Sequence, residues 1–196
     1  MSSRETILAA LRSSQIAESR LPEYAFGGSS AEVATRFLET FESVAGKYFR
    51  VSDVDAVNAK LAGLECYAGA RKIASLVPGI GSPNVDVERI EDVHDLKDLD
   101  VAILEASLGV AENGAVWLDD RALGRHRAIF VIPQHLILVL RASQIVPTLH
   151  EAYERIRITP NSFGVFVSGP SKTADIEQTL VIGAHGARSC TLFFLD

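Results

Sequence analysis

The sequence predicts an α/β fold with a largely parallel sheet, on three observations. Short apolar runs rich in β-branched residues alternate along the chain with segments of helical periodicity, the pattern of strands joined through helices. The stretch from Phe163 to Gly186 reads as one unit of strand, polar turn and helix. A length of 196 residues, 47% hydrophobic and 22% charged, suits one good core rather than two full domains.

Taken in order, Ser3 to Ile16 patterns as an amphipathic helix with Ile7, Leu8 and Leu11 in one stripe and Ser2 or Ser3 as cap. Arg20 to Ser30 reads as a loop around Pro22 and Gly27-Gly28. Residues 1–28 are therefore expected to form an arm, packed on the body or on a partner subunit, and residues 29–196 the α/β domain. Ala31 to Ala45 is a second helix, with Val33, Phe37, Leu38 and Phe41 on one face. A strand follows at Tyr48 to Val51, then a helix capped by Asp53 or Asp55 and carrying Val57 and Leu61. Lys72 to Val77 and Val101 to Leu104 are strands. Gly109 to Gly114 is turn-rich, and Gly114 to Leu118 resumes as a strand.

Ala128 to Ile132 and His135 to Leu140 read as two strands split by Pro133. Gln144 to Ile156 reads as a helix with Val146, Leu149, Tyr153 and Ile156 inward. Phe163 to Val167 is the strand of the opening unit, and Ser168, Gly169 and Pro170 break it. A helix with Ile176, Leu180 and Val181 at helical spacing is expected next, closed by Gly183, and Cys190 to Leu195 is a final strand.

Composition excludes several classes. The net charge of −6, with no basic stripe, argues against nucleic-acid binding. MSSRETILAALRSSQ lacks the apolar core of a signal peptide, and no apolar run approaches the roughly twenty residues of a membrane span. Cys66 and Cys190, the two cysteines, make neither a disulfide framework nor a four-cysteine site. No His, Cys and carboxylate cluster has metal-ligand spacing, so no metal is expected. A cytoplasmic protein is the expectation.

Three stretches carry residues suited to chemistry. In SGPSKTADIE, Ser168 to Glu177, the hydroxyls of Ser171 and Thr173, Lys172 and the free N–H groups of a helix start could hold a carboxylate or phosphate. The plainer reading is a capped helix after a tight turn, with Asp175 and Glu177 at its positive end. It is no P-loop, because Pro170 stands where that motif needs Lys. In VAENGAV, Val110 to Val116, Glu112 beside a Gly turn suits nucleophilic or general-base work, while Asn113-Gly114 alone suits an ordinary turn. His185 could be an acid/base group, or a helix-end histidine meeting the dipole. A Ser171, Asp175, His185 triad is conceivable, but the G-x-S-x-G elbow is absent. His135, opening an apolar strand, reads as structural; His94, His126 and His150 read as solvated.

GPSKTADIEQTLVIGAHG, Gly169 to Gly186, resembles the GPS-[RK]-TADIE…G-x-HG signature of the lactate-utilisation protein C family, the LUD domain. IPQHLILVLRASQIVPTLHEAYERI, from Ile132, and VAENGAVWL, from Val110, resemble it too. Family members usually read HGPR after the signature, where this chain has Ala187. The resemblance implies an open sheet with helices on both faces, similar to the NagB/RpiA/CoA-transferase superfamily. It implies a role in oxidising L-lactate to pyruvate beside partner proteins that supply iron–sulfur clusters. A second implication comes from Glu112-Asn113-Gly114, which resembles the S-E-N-G element of CoA-transferases, whose Glu is the nucleophile; Ala111 replaces the Ser. A non-catalytic scaffold or a subunit binding a small carboxylate also stays open, as does self-association. The expected site lies between the Glu112 loop, with Asn113 and Gly114, and the Ser171 loop, with Gly169, Lys172, Thr173, Asp175, Glu177 and His185.

The purified chain is expected to be colourless, since two cysteines do not ligate a cubane cluster. A visible charge-transfer band with stoichiometric iron in the isolated monomer would contradict this.

Overall fold

The computed structural model describes residues 2–14, 19–20, 29–175 and 178–196. Ile16, the Gly27-Gly28 loop, Ile176 and Glu177 lie outside them. A five-stranded parallel sheet forms the centre: β1 (Lys47–Val51), β2 (Ile73–Ser75), β3 (Val101–Glu105), β6 (His135–Arg141) and β11 (Ser189–Leu195), in the order β1-β11-β6-β3-β2. Both faces are covered, as a parallel sheet requires. The period-2 alternation divides each strand between two cores. Ala102, Leu104, Leu136, Leu138, Leu140, Leu192 and Phe194 face one side; Val101, Ile103, Ile137, Val139, Phe193 and Leu195 face the other.

Helix α2 (Ser30–Ser43) covers the first face through Phe37, Leu38 and Phe41. Phe37 stacks with Phe41 at 6.0 Å and with Phe194 at 6.4 Å between ring centroids. A Ser29/Glu32 capping box starts this helix. Helix α3 (Val54–Ala62), capped by Asp53, covers the second face through Val57 and Leu61, followed by the short α4 (Glu65–Ala68). Helix α1 (Ser3–Ser13) forms as expected but buries none of its residues, and Ile7 and Leu11 are exposed.

A second sheet, not anticipated, packs beside the first: β7 (Ile145–Val146), β4 (Leu108–Val110), β5 (Ala115–Asp119) and β8 (Gly164–Val167), in that order and mostly antiparallel. The turn at Asn113-Gly114 is the hairpin between β4 and β5, with Gly114 at φ +63°. The chain runs from β5 into a short helix, α5 (Asp120–Leu123).

Four local expectations fail. The apolar run Ala128 to Ile132 is no strand; Arg127–Phe130 is a 3-10 turn that buries Ile129 without a strand partner. A short apolar run looks the same in either role. The helix expected from Gln144 begins only at α6 (Leu149–Arg155), because Pro147 holds Val146 extended in β7 and Thr148 is the cap. Within α6 it is Ala152 that turns inward, while Tyr153 is exposed. His126 is buried rather than solvated, its Nε2 2.7 Å from the Ile90 carbonyl oxygen.

The largest departure follows Pro170. In place of a helix, β9 (Lys172–Thr173) and β10 (Val181–Ile182) pair as an antiparallel ribbon. Leu180 and Ile182 are exposed, so no surface lies beneath this segment to reward an amphipathic helix. Gln178, at φ +57°, is left-handed, which the interior of a helix does not contain.

His135 is structural, its Nδ1 2.8 Å from Ser189 Oγ. Burial, helped by the Arg188 charge and opposed by Asp100, holds it below the ordinary imidazole range. The folded state thus resists the proton more than the unfolded chain does. Its contribution is complete above about pH 6.5 and is lost as the pH falls below. Melting temperatures of the parent chain and His135→Gln between pH 7 and 5 should show a shallower decline in the variant; identical slopes would refute this.

Candidate functional site

The two loops singled out from sequence do meet. Antiparallel pairing of β5 with β8 sets Val116 opposite Val167, and Ser168 Oγ donates to the Asn113 carbonyl at 2.9 Å. Both loops abut the C-terminal end of α2. A Cβ on Gly114 would lie 2.8 Å from Phe41 N, and one on Gly169, at φ +70°, would lie 2.3 Å from the Val44 carbonyl oxygen. Only glycine fits at either place.

The chemistry at this junction is structural. Lys172 Nζ donates to the carbonyls of Val44 at 2.8 Å, Ser168 at 3.1 Å and Pro170 at 3.0 Å. An ammonium has three donors, so none is left for an anion. The cation sits on the C-cap carbonyl of Val44, just past the end of α2, where the helix dipole is negative. Burial pulls Lys172 below the ordinary lysine range. Among the described residues no helix start supplies free N–H groups here: Ser171 N–H donates to Ala187 O, and Asp175 N–H to Thr173 Oγ1. Asn113 Oδ1 accepts from Ala115 N–H. Exposed Glu112 accepts the Leu149 N–H at 2.9 Å, placing its carboxylate at the first residue of α6. His185 is exposed on the stretch after β10. A cleft of about 290 Å³ here is lined by Val131, Gly169, Pro170, Ser171, Lys172 and Gly186, among others.

Larger clefts lie elsewhere, along the carboxyl ends of β2, β3 and β6, the edge at which open parallel sheets bind ligands. Two lobes of about 640 Å³ each share Ser107, Asp119, Arg121 and Gln144. One lobe runs toward Glu105 and Arg141 at the ends of β3 and β6; the other runs over Trp117 and Phe163 toward Arg155 and Arg157. Arg121 also lines a third cleft of about 540 Å³ beyond Leu76.

The acids of this groove are committed to the fold. Asp119 caps α5, accepting the N–H groups of Arg121 and Ala122 at 3.1 Å each. Asp120 accepts from Arg127 Nε at 3.0 Å and Phe163 N–H at 2.7 Å. Glu105 lies 3.8 Å from Arg141. Among the described residues, no ion pair engages Arg121, Arg155 or Arg157. These three guanidiniums give the groove donors that suit an anion, beside the carboxylates of Asp119 and Asp120 in one lobe and of Asp86 and Glu88 in the third cleft. Sequence reading missed it. The loops expected to form the site follow β4 and β8, which belong to the small antiparallel sheet rather than to the parallel one. Among the described residues, no group of three or more His, Cys, Asp or Glu is placed to hold a metal ion, and no helix is long and apolar enough to cross a membrane.

Comparison with known proteins places the fold and signature together. The LUD domain family matches residues 67–195. Lactate utilization protein C 1 of Bacillus mycoides is 36% identical over 117 residues, 56% of this chain and 49% of that protein. Lactate utilization protein C of Deinococcus radiodurans is 32% identical over 170 residues, 82% of this chain and 78% of that protein. The chain thus spans about half the length of the Bacillus relative and most of the Deinococcus one. The crystal structure of a DUF162 family protein from Deinococcus radiodurans superposes with a TM-score of 0.61 at 22% identity, covering 87% of this chain and all of that one. At that identity it supports the shared fold.

Lys172→Met would leave three carbonyls without their donor and is expected to lower stability by about 1–2 kcal/mol. Gly169→Ala, strained at its positive φ and crowded against Val44, should cost at least as much. Denaturant unfolding reads both; a Lys172→Met variant as stable as the parent would remove the latch from the account.

Proposed function

The chain belongs to the LUD domain family, and from that premise we propose that it is a component of an L-lactate utilisation system that oxidises L-lactate to pyruvate together with iron–sulfur partner proteins. One observation carries the reading: 32% identity with a lactate utilization protein C across 78% of that protein's length. It is supported by the unpaired guanidiniums in the groove at the carboxyl edge of the sheet, since substrate and product are both carboxylates at neutral pH.

The division of labour follows from redox chemistry. Converting a 2-hydroxy acid to a 2-oxo acid removes two electrons and two protons, and the electrons need an acceptor. Clusters that carry electrons are held by sets of thiolates, and this chain has two cysteines. Cys190 lies in the core on β11, its thiol pushed up to about 12 by burial, and Cys66 is half-buried with its thiol raised for the same reason. Neither is poised as a thiolate ligand. Cluster chemistry is therefore assigned to partners, and this chain is left with holding and orienting the organic acid. The transferase alternative needs the Glu112 carboxylate to face a ligand. Its contact is the start of α6, and it does not line the groove.

Deleting the gene from its host should abolish growth on L-lactate as the carbon source while leaving growth on pyruvate intact. Undiminished growth and undiminished L-lactate oxidation in extracts would overturn the proposal.

A further inference from the structure

We infer that Arg121 is the carboxylate anchor of a small 2-hydroxy acid site in the groove, with Ser107 and Gln144 beside it. Arg121 is the residue at which the clefts converge; it lines all three that open along this edge. Its backbone is fixed, because its N–H is held by the Asp119 cap at the end of β5. Its guanidinium is exposed and joins no ion pair among the described residues. A guanidinium presents two parallel N–H donors, which match a carboxylate in a bidentate pair. Lys172, the other cation that the sequence offers for this task, has its donors occupied.

The neighbours supply the rest of the recognition. Ser107 lies just past β3 and Gln144 ends the turn just past β6, so two adjacent parallel strands deliver both to the carboxyl edge of the sheet. A hydroxyl and a carboxamide each donate and accept, which suits a 2-hydroxyl or 2-oxo group next to the bound carboxylate. The two acids nearest in sequence, Asp119 and Asp120, are turned to backbone N–H groups and to Arg127. A three-carbon acid fills a small part of two lobes of about 640 Å³, leaving one lobe open to a second reactant.

This assignment rests on the reading that the chain itself meets lactate, and a direct binding measurement separates the two. Trp117, the single tryptophan, lines the same groove and reports its occupancy by fluorescence. Titrating the full chain with L-lactate, pyruvate and propionate at matched ionic strength should give saturable changes, with propionate weakest because it lacks the 2-substituent. Arg121→Gln should weaken L-lactate at least tenfold, Arg121→Lys should fall between, and Lys172→Met should bind like the parent. Equal affinity in Arg121→Gln and parent, or no saturable binding of L-lactate by the parent, overturns the site. So does propionate matching L-lactate, for the Ser107 and Gln144 roles. Loss of binding only in Lys172→Met would return the site to the Ser171 loop. Failure here with the deletion strain still unable to use L-lactate sinks the site alone. Binding with normal growth of that strain sinks the physiological role alone.

Discussion

A parallel sheet has no face for water, and the arrangement of this protein follows from that constraint. β6 and β11 lie inside the sheet with neighbours on each side, and Leu136 to Leu140 and Cys190 to Leu195 are buried on both faces. Roughly 25 cal/mol is gained for each Å² of apolar surface removed from water, so every segment that can cover these strands is drawn onto them. One side takes α3, α4 and the turn after β2 that carries Val77 and Ile80. The other side takes α2, the small antiparallel sheet and the turns between β2 and β3. The second sheet is thus part of the cover: Ala111, Val116 and Leu118 bury into the same core as Leu104 and Leu138.

Covering the sheet this way creates a junction that must be held. Helix α2 ends where the β4–β5 hairpin and the loop after β8 arrive, and three devices close the junction. Gly114 and Gly169 let backbone approach backbone, Ser168 ties one loop to the other, and Lys172 satisfies carbonyls from both the helix and the loop. The GPSK stretch that stands out in the sequence is accounted for by this closure. Charged, glycine-flanked residues look alike whether they bind a ligand or bind the chain itself; the difference is whether the donors are already occupied.

The groove illustrates the opposite case. Arg121, Ser107 and Gln144 sit in unremarkable sequence surroundings, far apart along the chain. They share a site because β3, β5 and β6 deliver their following residues to one edge. Asp119 and Asp120 keep their charge but spend acceptor capacity on the α5 cap and on Arg127, which leaves the Arg121 guanidinium outside any ion pair among the described residues. Donor availability here is a property of what remains unpaired after folding, which a net charge of −6 does not show.

Sequence by itself determined the elements with strong local reasons: the amphipathic stripe of α2, the aspartate-capped α3, the apolar runs within β3, β6 and β11, and the Asn113-Gly114 turn. It also carried the family signature from Gly169 to Gly186. Only the tertiary structure decided that this signature folds back on itself as a ribbon of Lys172–Thr173 and Val181–Ile182, that Arg127–Phe130 is a turn burying Ile129, and that Leu108–Val110 is a strand. Each of those depends on a partner surface that is distant in sequence: no floor beneath Leu180 and Ile182, a core above Ile129, and β5 and β7 beside β4. Local periodicity records what a segment can bury, and the fold decides whether anything is there to bury it against.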